Sequence, residues 1–165
     1  MIAIHDASSI GEVFFAAAET YAGNSLLAVA VNPARSYYPE GYEISYAAAA
    51  AQVRQLMHDY RQAGYGLGHR VGLLLESRPE HMLHKLAMNA LGVCCVPVNP
   101  DYRPAEFAYL IDHARLDLLL VLESHVAAAE AALRESRHQP VLSVLQQWAQ
   151  GLPAALRPAQ AGEVG

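Results

Sequence analysis

Three uninterrupted apolar runs, at 71–75 (VGLLL), 93–98 (VCCVPV) and 118–122 (LLLVL), constrain this chain more than any other feature. A strand with one wet face alternates apolar and polar residues; a run without alternation marks a strand covered on both faces. Each run is followed by a helical pattern. Pro79 opens the first, which extends to about Leu91 before Gly92, because proline's missing N–H costs nothing in a first turn. Pro104 opens the second, with Phe107, Leu110, Ile111 and Ala114 inward, and Ser124 is placed to cap a third that runs to about Ser136. Strand-helix units joined by short connections predict an α/β fold: three layers, a mainly parallel sheet with helices on both faces, and right-handed crossovers.

Upstream, residues 9–21 carry Val13, Phe14, Ala17, Ala18 and Tyr21 at the spacing of one helical face. Residues 26–31 and 42–46 read as a small hairpin around the loop PARSYYPEG. A long helix begins near Ser45, with Tyr46, Ala50, Val53, Met57 and Tyr60 on one face, and Gly64 stops it. The stretch 141–148 is compatible with more than one element. Residues 1–150 therefore read as one folded unit. Residues 151–165, rich in Ala, Pro, Gln and Gly and without a period, read as a linker-like tail.

With 165 residues and 53% hydrophobic content, the chain can build a core of its own. A net charge of −5 and the absence of a basic patch argue against a nucleic-acid partner. The first residues lack a positive n-region and no apolar run reaches the length of a membrane span, so the expected location is cytoplasmic. Cys94 and Cys95 are adjacent in a strand and point to opposite faces, which disfavours a disulfide between them. They read as two small buried thiols.

The glycine cluster Gly64, Gly66 and Gly68 precedes a strand instead of following one, the wrong order for a phosphate-binding turn. It reads as a helix end and turn. No GxxxxGK[ST] motif occurs, and Lys85, the only lysine, lies in a helical segment. His81 and His84, beside Glu80, have helical spacing, yet no further ligand set supports a metal, so they read as exposed or partly satisfied helix histidines. Ser77 and Arg78 after the first run, and Asn99, Asp101 and Arg103 after the second, fall at the carboxyl ends of strands, where open α/β sheets place ligands. One reading makes that edge a cleft; the other pairs Arg78 and Arg103 with acids such as Glu80, Asp101 or Glu106. The serines lack a GxSxG context, which leaves no nucleophile-base pair to assign.

From Ile44 to Leu122 the order of these pieces resembles the N-terminal subdomain of the AMP-binding, adenylate-forming synthetases. The residues that carry the likeness are Ser45-Tyr46 at the helix entry, the turn from Gly64 to Val71 into LLLES, and Arg78-Pro79-Glu80. Ala90-Leu91-Gly92 at a helix end and Pro97-Val98-Asn99-Pro100 with Arg103 complete it. The likeness extends over about residues 10–145.

The resemblance implies a parent enzyme of the acyl-CoA synthetase type. Such an enzyme converts a small carboxylic acid and ATP, with magnesium, to an acyl-adenylate and then to a thioester with CoA. It implies also that catalysis lies elsewhere. The family's phosphate loop is rich in Ser, Thr and Gly and ends in lysine, whereas this chain has one threonine, Thr20, and one lysine, Lys85. No catalytic residue, no cofactor-binding residue and no metal ligand is carried over. The arginines that contact the CoA phosphate in some members are replaced by Ala127, Ala128 and Ala129, and Ala48 replaces the acid of a capping box. The expectation is an N-terminal fragment, inactive alone, whose partner is the remainder of the synthetase and which self-associates without it. A free-standing binding domain, and part of an adenylation domain that loads a carrier protein, are the alternatives.

Overall fold

Ser9 opens the first helix, α1 (Ile10–Thr20), with a reciprocal cap: its hydroxyl accepts from the Glu12 amide at 3.2 Å while Glu12 accepts from the Ser9 amide at 2.7 Å. A hairpin follows, β1 (Ser25–Val29) paired antiparallel with β2 (Tyr42–Ser45) as the composition of its loop predicts. Ser45 then caps α2 (Tyr46–Gln62) by accepting from the Ala48 amide at 3.3 Å. With alanine at that third position, only half of a capping box is present. The computed structural model describes residues 9–146 and 151–162.

The end of α2 explains the glycine cluster. Gly64 takes the left-handed conformation (φ 88°), its amide donating to Arg61 and the Tyr65 amide donating to Tyr60 at 2.9 Å. That is the two-bond glycine stop of a helix, accompanied by a Tyr60–Tyr65 edge-to-face contact at 6.1 Å.

Beyond the turn come β3 (Arg70–Leu74), α3 (Pro79–Ala90), β4 (Cys94–Pro97), α4 (Pro104–Ala114), β5 (Leu118–Val121), α5 (Val126–Glu135) and β6 (Val141–Val144). The strands form one parallel four-stranded sheet in the order β4-β3-β5-β6. Helices α1, α2 and α3 pack on one another, as do α4 and α5. Side-chain alternation distributes the two inner strands between these layers. Val71, Leu73, Leu75, Leu118 and Leu120 join Tyr60 and Met88 in one core, and Leu74, Leu119 and Val121 join Phe107 and Ile111 in another. Both faces of β3 and β5 are thus buried, and the three-layer parallel architecture is the one expected.

Two local expectations are corrected and two open readings are resolved. The ambiguous stretch supplies a fourth strand, β6; residues 147–148 of that stretch lie outside the described residues. Ser124 caps nothing, because a 3-10 turn over Glu123–His125 intervenes and α5 begins at Val126. Cys94 is exposed, since β4 lies at the sheet edge, whereas Cys95 packs against the core and its burial pushes the thiol up to about 11. Of the two readings for His84, exposed or partly satisfied, the second holds: it is 2% accessible and bonded to the Tyr60 hydroxyl at 2.9 Å.

Residues 151–162 contain neither helix nor strand, yet they are docked. The Ala155 amide donates to Ala63 at 2.7 Å and the Gln160 amide to Leu67 at 2.9 Å. Arg157 makes two bonds to Asp117, at 2.6 and 2.7 Å, and a third to the Gly68 carbonyl at 2.7 Å. Burial opposes ionisation of Asp117. The Arg157 contact and the Arg70 amide overcome it, holding the carboxyl below its usual range.

Burial lowers the imidazole of His84 to about 3, with a smaller contribution from His81. An unfolded chain takes up that proton below about pH 6.5, the folded chain only near 3, so stability falls as pH drops through this window. The full cost approaches about 5 kcal/mol. Denaturation followed from pH 7 to pH 4 should show this loss, and His84→Gln should have a visibly shallower slope over the same range.

Candidate functional site at the carboxyl edge of the sheet

The strand order contains one reversal. From β3 the chain steps outward to β4, crosses back to β5 and steps outward the other way to β6, so the loops leaving β3 and β5 diverge. A crevice at that point is where open parallel sheets bind ligands. Its walls are residues 76–78 and 123–125, which leave the two strands at matched heights because Leu74 pairs with Val121.

Glu76 organises this crevice. Its backbone is left-handed (φ 56°), which is unfavourable for a residue with a side chain. Two side-chain bonds brace it: His81 Nδ1 donates to the Glu76 carbonyl at 2.9 Å, and His125 Nε2 donates to Glu76 Oε1 at 2.8 Å. Neither the pairing with His125 nor the strained backbone was evident from the sequence. A signal was present nonetheless: Leu-Glu-Ser recurs at the ends of both inner strands, as Leu75-Glu76-Ser77 and Leu122-Glu123-Ser124.

Arg78 sits beside this pair in an aromatic setting. Its guanidinium lies over the Tyr37 ring at 4.8 Å, and its Nε is 3.6 Å from Glu80 Oε2, too far for a hydrogen bond. The other oxygen of Glu80 accepts from the Tyr38 hydroxyl at 2.8 Å. Burial first, and then this bond to Glu80, push the Tyr38 phenol up to about 12, so it stays a donor. Tyr38 also has a left-handed backbone (φ 45°) and stacks on Tyr42 at 4.4 Å. The hairpin loop is thereby tied to the start of α3, and the Tyr37 hydroxyl donates to the Ser77 carbonyl at 3.2 Å.

The other expected residues do not join this group. Arg103 bonds Glu106 at 2.8 Å on the surface, and Asn99 accepts from the Asp101 amide at 3.0 Å within its own turn. Both arginines therefore have the acidic neighbours that the pairing alternative named. His84 faces Tyr60 while His81 reaches Glu76, so the two imidazoles serve different contacts.

A triphosphate does not fit the residues present. Thr20 donates its hydroxyl to the Ala16 carbonyl inside α1, and Lys85 is exposed on α3. The turn at Gly64–Gly68 lies at the amino end of β3, with Gln160 filling the space where a Gly68 side chain would point, at 2.5 Å. Among the described residues, no group of three or more His, Cys, Asp or Glu side chains is placed to hold a metal ion. The carboxyl edge contains an acid-imidazole pair and a partly neutralised arginine, suited to binding and positioning.

Comparison with known proteins places the chain in context. A family model described as AMP-binding enzyme matches residues 19–162. The chain is 29% identical over 100 residues to a long-chain-fatty-acid–CoA ligase of Thermus thermophilus, covering 61% of this chain and 18% of the ligase. It is 34% identical over 80 residues to a linear gramicidin synthase of Brevibacillus parabrevis, covering 48% of this chain and 2% of that synthase polypeptide. Among solved structures, a long-chain-fatty-acid–CoA ligase from Archaeoglobus fulgidus superposes with a TM-score of 0.73 at 18% identity, over 86% of this chain and 28% of that one. The chain thus spans less than a fifth of the length of these two curated relatives, and the structural likeness speaks for the fold alone. Because the family model covers most of its length, the chain belongs to the AMP-binding enzyme family.

Proposed function

We propose that this chain is the amino-terminal layer of an acid-thiol ligase that activates a carboxylic acid with ATP and magnesium and passes the acyl group to CoA. In this reading the chain supplies scaffold and one wall of a cleft, and the remainder of the enzyme supplies the phosphate loop and the catalytic residues. One pair of facts carries it: the family match over residues 19–162, and a composition with a single threonine and a single lysine, neither placed to hold phosphates. The reaction needs cations to offset phosphate charge and a thiol aligned on the mixed anhydride. Glu76, His125 and Arg78 would act in such an enzyme by holding the edge on which the other walls rest.

The match to a gramicidin synthase, higher in identity than the match to the ligase, favours one second reading: an adenylation domain that loads a carrier-protein thiol in place of CoA.

The test is a pyrophosphate-release assay on the purified chain with ATP, magnesium and a panel of fatty and aryl acids. We expect no release above background. Turnover at rates typical of enzymes, about 1 s⁻¹ or more, would overturn the assignment of catalysis to the remainder.

The same reading gives the isolated chain exposed sticky surface. Among the described residues, strand β6 has a neighbour on one side only, and an unpaired sheet edge is a template for association. Light scattering over a concentration series should show an average mass that rises with concentration. A constant monomer mass would count against an interface at this edge.

A further inference from the structure

A pocket of about 340 Å³ lies between β1 and the first turns of α3, and shares Ser77 and Arg78 with the rim of the Glu76–His125 crevice. We propose that it binds a small organic anion with a short apolar body. Its apolar walls come from Leu27, Val29 and Met82, and its polar residues include Ser77, Arg78 and Lys85. No acid lines it among the described residues, although the chain as a whole has 16 acidic residues against 11 basic ones. Lys85 and the partly paired Arg78, in a lining that includes no acid, leave local positive potential, which focuses an anion.

Neither cation is fully neutralised by its surroundings. Arg78 shares Glu80 with the Tyr38 hydroxyl, stays 3.6 Å from the nearer carboxylate oxygen, and has a buried Nε without a hydrogen-bond partner. Lys85 has no ion pair among the described residues. The floor is preformed, because the hairpin loop is pinned to α3 through Tyr37 and Tyr38, the latter in a left-handed backbone. A volume at the lower end of the usual range for ligand pockets suits a compact molecule and leaves an inorganic ion with unfilled apolar wall.

The site is independent of the reaction proposed above, and the chain alone suffices to test it. Hexanoate titrated into the full chain, followed by amide chemical shifts, should move the signals of residues 27–29 and 77–85 with millimolar affinity. Hexan-1-ol and inorganic phosphate, each lacking one half of the required chemistry, should bind at least about tenfold more weakly. Lys85→Met, an exposed change that leaves the core intact, should weaken hexanoate by about tenfold, and Lys85→Arg should retain it. The proposal is overturned if hexanoate leaves these signals unmoved at about 10 mM. It is overturned equally if hexan-1-ol or phosphate matches hexanoate, or if Lys85→Met binds as the parent does.

Discussion

The pairing of β3 with β5 is the contact on which the rest of the structure depends. Their residues meet in register from Val71 opposite Leu118 to Leu74 opposite Val121, and every side chain of β5 is fully buried. Because alternate residues go to opposite faces, this one ladder anchors both helical layers at once. Gly72 shows how tight it is: a Cβ there would meet Leu116 at 2.7 Å and Leu119 at 3.0 Å. The helices are held by the sheet, and the sheet by apolar surface with no polar alternative.

The crevice is a consequence of the same pairing. β3 and β5 are neighbours in space but are separated in sequence by α3, β4 and α4, so their outgoing loops diverge in opposite directions. Glu76 and His125 meet there at 2.8 Å across 49 positions of sequence. The strained backbone of Glu76 persists because His81 and His125 hold it from both sides. At the opposite end of the strands, Arg157 on Asp117 closes the sheet with part of the tail. Among the described residues, the amino ends of the strands are thus covered by the chain's own tail, and the carboxyl ends carry the Glu76–His125 crevice.

Much of this was legible in the sequence, for a physical reason. Runs such as LLLV tolerate only a doubly covered strand, and Pro79, Pro104, Gly64 and Gly92 mark helix ends by backbone geometry alone. What was hidden depended on partners far away in sequence. VLSV is too short and too mixed to announce β6, whose burial comes from β5 and the helices around it. The tail has no period because its docking rests on backbone amides and one arginine. The partner that satisfies His84 was hidden because α2 brings Tyr60 against it from 24 positions away. In the candidate site, Arg78 was found from its place after a strand, while Tyr37, Tyr38 and His125 reach it only through the hairpin and the crossover.

The central claim is that this chain folds by itself as one layer built around β3 and β5. Native-state hydrogen exchange on the isolated chain tests it most directly. The account predicts that the amides of residues 71–74 and 118–121 exchange last, at the rate set by global unfolding, with edge strands β4 and β6 exchanging sooner. Uniformly fast exchange across all four strands would contradict it, and would mean that the layer acquires its order only when packed against the rest of an enzyme.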